Sequence, residues 1–290
     1  GRLAGALVLL NVAMLAAASS PQAELGECTN LLHSAEGADD CLIELLGNAT
    51  EPRVRAEAYL ALGDRQRANR EFQIAARRDD GPHIRTRWGM LYLAAHQFAD
   101  AEKLFREALE RAPGAPEALT GQALVALTGF DARARELAGS ALDRDPDYAP
   151  AHFVLARLDI ERGNTADARE RLLPFVEASS PRLDRLEAMA LLASADRVEG
   201  VVESEWIAKA LALAPAYGDV HRLPAQFLVL LRRYREAVDT LQAAVAIDPD
   251  NYGAHADLGT NLLRIDRIEE GRHHLETAWR GDRFNAEVVN

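Results

Sequence analysis

Lysine is nearly missing from this chain. Of its 33 basic residues only Lys103 and Lys209 are lysines, so arginine carries almost all the positive charge. Positive charge is itself the minority: 45 acidic residues give a net charge of −12. Polyanionic surfaces repel such a chain, which argues against a general nucleic-acid binder or a binder of anionic membranes. There are two cysteines in 290 residues, too few for a disulfide-rich scaffold or a cysteine zinc cluster. Beyond the first eighteen residues no apolar run approaches the ~20 residues of a spanning helix. Period-two alternation long enough for a strand does not occur. Nor is there a His-Glu-x-x-His zinc pair, a Walker A loop, a G-x-S-x-G elbow or a Rossmann glycine set, so nothing supports catalysis within these residues. We expect no cofactor and no metal.

The first segment reads as a targeting signal. Arg2 precedes a short apolar run from Leu3 to Ala18, followed by Ser19, Ser20 and Pro21. A basic residue, a short apolar core and small residues before a helix breaker are the parts of a secretory signal peptide, with Ala16-Ala17-Ala18 as an A-x-A cleavage site. An uncleaved anchor is the alternative. On the first reading residues 1–20 are removed, the protein is periplasmic or secreted from a bacterium, and the mature chain has no membrane span. Cys28 and Cys41 follow closely. Two cysteines in an exported chain suggest one disulfide, against the rival of two buried free thiols.

What is abundant is a repeat. Gly89, Tyr92, Ala101, Phe105, Ala108 and Pro113 sit at offsets 8, 11, 20, 24, 27 and 32 from Pro82. A second-helix triplet, small-large-small in four of its six copies, then recurs as Ala68-Phe72-Ala75, Ala101-Phe105-Ala108, Ala134-Ala138-Ala141, Ala168-Leu172-Phe175, Ala237-Leu241-Ala244 and Gly271-Leu275-Ala278. First members are 33, 33, 34, 69 and 34 residues apart. Steps of four and three place each triplet on one helical face. Its small members let helices approach, and the large one fills the gap between them. Pro113, Pro146, Pro215 and Pro249 follow the triplets and stop the second helices. The gap of 69 hides a degenerate unit with Glu203-Ile207-Ala210. Burying an unpaired carboxylate costs several kcal/mol, so that unit is expected to shift register onto Val202. Ala38-Leu42-Leu45 marks a weak unit upstream.

These spacings resemble the tetratricopeptide (TPR) repeat. The resemblance implies an all-α solenoid of about seven helix-turn-helix units in a right-handed superhelix, rather than a plain helical bundle. The expected division is 1–20 signal peptide, 21–48 degenerate N-terminal repeat, 49–282 TPR array and 283–290 the start of a further helix. Arg283 stands where a last proline would, and no polar closing helix follows Ala278.

The TPR resemblance also implies a function: binding a protein or peptide along the concave face formed by the first helix of each pair. Carried onto this chain, inward positions are Met90, Leu93, Phe153, Arg157, Ile160, Arg222, Gln226, Thr260 and Leu263. Met90, Arg157 and Gln226 occupy places where some TPR domains carry a carboxylate-clamping Lys/Asn set, so a chaperone-tail receptor is disfavoured. His152, His221 and His255 hold equivalent fourth places and are read as packing substitutes for an aromatic, not as ligands. His273 and His274 point about 100° apart on a helix and do not converge on a metal. A narrower resemblance runs through Arg87-Trp88-Gly89-Met90-Leu91-Tyr92, the stretch Phe227 to Ala237, and Phe284 to Asn290. It is to the TPR half of exported bacterial gluzincin (peptidase MA-like) metallopeptidases, whose zinc ligands would all lie beyond Asn290.

Overall fold

A computed structural model describes residues 21–31, 38–79, 81–129, 132–201, 203–215 and 218–282. The expected signal peptide, Val202 and the expected further helix at 283–290 lie outside the described residues. Among the described residues there are sixteen α-helices and no strand. They run as eight antiparallel pairs: α1 (Pro21–Leu31) with α2 (Ala38–Asn48), α3 (Pro52–Ala61) with α4 (Arg65–Arg78), α5 (Pro82–Ala94) with α6 (Phe98–Arg111), and α7 (Pro116–Thr128) with α8 (Arg133–Leu142). The second half continues with α9 (Ala149–Glu161) and α10 (Thr165–Leu172), α11 (Arg182–Val198) and α12 (Glu205–Leu213), α13 (Gly218–Leu230) and α14 (Tyr234–Ile247), and α15 (Tyr252–Arg264) and α16 (Ile268–Asp282).

Proline punctuates the pairs at both ends. Pro52, Pro82 and Pro116 stand in the first turns of α3, α5 and α7, where a missing N–H has no helical partner to lose. Pro113, Pro146, Pro215 and Pro249 lie just past α6, α8, α12 and α14. Within pairs, the short turn needs one residue of positive φ. Gly63, Gly163 and Gly200 supply it at φ 77°, 80° and 80°. His96, Arg232 and Asp266 take the same place at φ 57°, 57° and 62°, at a cost of roughly 1–2 kcal/mol each.

The triplets form the core. Ala68, Phe72, Ala101, Phe105, Ala108, Ala134, Ala138, Ala141, Ala168, Leu172, Ala237, Leu241 and Ala244 are all fully buried. Each large member contributes about 1.5–3 kcal/mol by leaving water. Every helix packs on the next one or two along the chain, so no pair covers its apolar face alone. First helices also touch one another, α5 with α7, α7 with α9, α9 with α11, α11 with α13 and α13 with α15, whereas successive second helices do not pack comparably. The first helices therefore crowd the inner, concave side. The array also curls far enough for the guanidinium of Arg65, opening α4, to lie 5.9 Å from the ring centroid of Tyr252, opening α15.

Two local expectations are corrected. The degenerate unit does not shift register. Helix α12 starts at Glu205, so Glu203 falls before it and is exposed, while Ile207 and Ala210 keep their buried places. The triplet Ala168-Leu172-Phe175 does not lie on one α-helix. Pro174 has no N–H to continue α10, which gives way to a 3-10 turn at Leu173–Val176. Phe175 still reaches the core from that turn. At the N-terminal end Cys28 and Cys41 form a disulfide joining α1 to α2, and both helices pack through Leu25, Leu42 and Leu45 onto Val54 and Ala58 of α3.

Candidate functional site

The inner helices are stitched by ion pairs, one for each of several steps along the array. Arg87 of α5 holds both carboxylate oxygens of Glu57 on α3 at 2.7 Å. Arg157 of α9 meets Glu187 of α11 at 3.3 Å. Arg222 of α13 meets Asp257 of α15 at 2.9 Å. These pairs stand on the concave side because an inner residue's nearest charged neighbour is the next first helix, one repeat away.

A groove of about 510 Å³ opens between α9, α11 and α13. Arg157, Ile160, Arg222 and Gln226, four of the expected inward residues, line it together. The remaining expected residues lie elsewhere. Phe153 is turned into the core, 8% exposed, with its ring edge-on to Phe175 at 5.3 Å. The aromatic that Pro174 leaves beyond α10 gives it a better partner than solvent does. Met90 and Leu93 pack partly buried against the cluster around Phe72 and Phe105. Thr260 is exposed and donates its hydroxyl to Ala256 O on its own helix, and Leu263 is exposed on α15.

Helix α11 carries what the sequence reasoning missed. Leu183, Glu187, Ala190, Ser194 and Arg197 line the groove as one stripe at helical spacing. The signal was present, but the unit lay in the 69-residue gap and no inward positions were assigned to it. Leu186, Leu191, Val220 and Leu223 add apolar lining. Pro224 sits inside α13, between the groove residues Leu223 and Gln226. It has no N–H to give the carbonyl of Val220, which loosens the helix beside the groove.

The three histidines at equivalent places share one bond. Nε2 of His152, His221 and His255 lies 2.8, 2.7 and 3.0 Å from the carbonyl oxygens of Pro146, Pro215 and Pro249. A carbonyl only accepts, so each ring donates from Nε2. These histidines pin the turn prolines to the following helix rather than merely filling space. His255 is left with Nδ1 as acceptor, and His274 Nδ1 lies 2.8 Å away. Burial pushes the His274 pKa down, and His255 and His273 add to the effect. Burial likewise raises the Tyr148 phenol to about 12. Among the described residues no group of three or more His, Cys, Asp or Glu is placed to hold a metal ion, and no helix is long and apolar enough to cross a membrane.

Family models described as tetratricopeptide repeat match residues 86–131, 132–190 and 228–290. The chain belongs to the tetratricopeptide-repeat family. Cellulose synthase 1 operon protein C of Komagataeibacter xylinus is 29% identical over 208 residues, which are 64% of this chain and 15% of that protein. This TPR chain thus spans about 15% of that curated relative. Among solved structures, a tetratricopeptide repeat protein from Parabacteroides merdae is similar with a TM-score of 0.54 at 15% identity, over 87% of this chain and 96% of that one. The human IFIT1 dimer with m7Gppp-AAAA gives 0.55 at 16% identity, over 89% and 72%. At such identities the likeness is one of fold.

Proposed function

We propose that this chain is an exported TPR scaffold that binds a protein or peptide partner along its concave face. The observation that carries the reading is the groove between α9, α11 and α13. Four residues expected to face inward meet there beside the exposed Leu183, and a concave surface that combines apolar lining with convergent polar groups is the usual form of a recognition site. The Cys28–Cys41 disulfide supports export, because such bonds persist in oxidising compartments. The test is photocrosslinking from a benzoylphenylalanine placed at Leu183 or Gln226, against one at the exposed Lys103 on α6. Adducts from the first two positions and none from the third are expected. Equal adducts from all three would sink the reading.

The alternative is that the array recruits substrate for a zinc peptidase domain beyond Asn290. It rests on the resemblance carried by Arg87 to Tyr92, Phe227 to Ala237 and Phe284 to Asn290. Reading the gene past Asn290 for His-Glu-x-x-His on a helix decides it, and 200 further residues without that pattern would end it.

A further inference from the structure

We infer that the groove between α9, α11 and α13 takes a short peptide segment in which apolar side chains are followed by a single carboxylate side chain. This deepens the concave-face reading and rests on it. The α11 stripe begins apolar and ends basic: Leu183, 51% exposed, then Glu187, countered by Arg157, then Ala190 and Ser194, then Arg197. At the Leu183 end the lining adds Leu186, Val220 and Leu223, a lodging for apolar side chains that would otherwise meet water. In the middle the stripe narrows to Ala190 and Ser194, whose hydroxyl is turned back onto Ala190 O at 3.0 Å. Those short side chains leave room for a main chain to cross.

The charges select the other end of the ligand. Two of the three guanidiniums in the groove are already countered, Arg157 by Glu187 and Arg222 by Asp257. Arg197 makes no ion pair among the described residues and is half-buried. A guanidinium partly withdrawn from water gains most from a carboxylate, which it can hold through two parallel bonds. Glu161 also lines the groove, is exposed, and has no ion pair among the described residues, so a run of acidic residues would be repelled and one carboxylate suits the site best. The amide of Gln226, exposed and able both to donate and to accept, can meet the ligand's main chain. A polyphosphate chain fits poorly: the net charge is −12, and the one uncommitted arginine of the groove stands against the carboxylate of Glu161.

The experiment measures fluorescence anisotropy of the full chain with labelled hexapeptides. Ser-Leu-Leu-Ser-Glu-Ser is the test peptide. Its companions carry Gln or Lys in place of Glu, or Ser in place of both Leu, and a labelled oligo(A) represents RNA. The test peptide should bind, weaken with salt, and exceed each companion by about tenfold. Arg197→Glu should abolish its preference over the Gln and Lys peptides, and Ala190→Trp, which fills the middle of the stripe, should abolish binding. Circular dichroism verifies that both variants keep their helix content. Equal binding of the Gln peptide, unchanged preference in Arg197→Glu, tighter binding of oligo(A), or no binding of the test peptide would each overturn the inference. A peptide released by Leu263→Trp but not by Ala190→Trp would overturn this groove while leaving the concave-face reading standing. The crosslinking described above judges that broader reading by itself.

Discussion

The ring of Phe105 is held between two glycines on neighbouring first helices. A Cβ on Gly121 would stand 2.6 Å from Phe105 Cδ1, and one on Gly89 would stand 2.7 Å from Cε1. Real Cβ atoms do not come so close, and Phe105 has no exposed surface through which to retreat. Gly121→Ala would gain roughly 1 kcal/mol of helix propensity but overpack a full core, which typically costs 1–3 kcal/mol. The overpacking wins because the ring cannot move. A net loss of about 1–2 kcal/mol is expected by denaturant titration, and Phe105→Leu added to Gly121→Ala should recover part of it. An unchanged midpoint for Gly121→Ala would show that the ring has room.

Arg65 of the second pair lies over Tyr252 of the eighth, 5.9 Å from its ring centroid. A cation–π contact between two half-buried side chains is worth about 0.5–2 kcal/mol, so Tyr252→Ala should alter the melting curve only modestly. It should alter shape, because this contact bridges helices far apart in the chain, whereas neighbouring pairs govern stability. Small-angle scattering should show a larger radius of gyration for Tyr252→Ala than for the parent. Equal radii would mean that stacking alone fixes the curl.

His274 makes the last helix pair sensitive to acid. Its pKa is depressed by burial first, then by His255 and His273; Arg267 adds to the lowering and Glu270 opposes it. A depressed folded pKa means that the unfolded chain takes up the proton more readily. Stability is therefore fully present above the unfolded value of ~6.5 and is lost as pH falls through the folded value. Amide exchange in α15 and α16 should speed up between pH 7.5 and 5 relative to α5 and α6. His274→Phe should flatten that difference, and a difference that persists in the variant would acquit the pair.

The Cys28–Cys41 bond closes a short loop with a sequence separation of 13. Loop-entropy reasoning gives it roughly 3 kcal/mol. Because α1 and α2 pack chiefly on α3 among the described residues, that loss should be local. Reduction should expose α1 and α2 to protease while the pairs from α5 onward stay protected. Alkylation of both thiols in non-reduced protein taken from its native compartment would contradict the disulfide.

Several features were legible in the sequence because their causes are local. Ala101, Phe105 and Ala108 share a face through helical geometry alone, and the same holds for Ala237, Leu241 and Ala244. The places of Gly89, Tyr92, Pro113 and Pro249 follow from the same register. The equivalence of His152, His221 and His255 was visible too. Their bond to a proline carbonyl was not, since it depends on how the turn folds back over the next helix. Phe153 shows the opposite limit. Its register put it on the inner face, and only the detour of chain imposed by Pro174 brought Phe175 close enough to draw it into the core.

The one-dimensional pattern thus determined that helices would pair, where each pair would begin and end, and which side chains would lie between them, because these depend on residues three to thirty-odd positions apart. The groove was decided by the folded array alone. Its walls come from α9, α11 and α13, and its width follows from how three successive pairs lean on each other around a short α12 and a proline within α13. Which arginines are already neutralised is likewise settled across repeats, by Glu187 and Asp257, and no spacing along the chain encodes that Arg197 is left over.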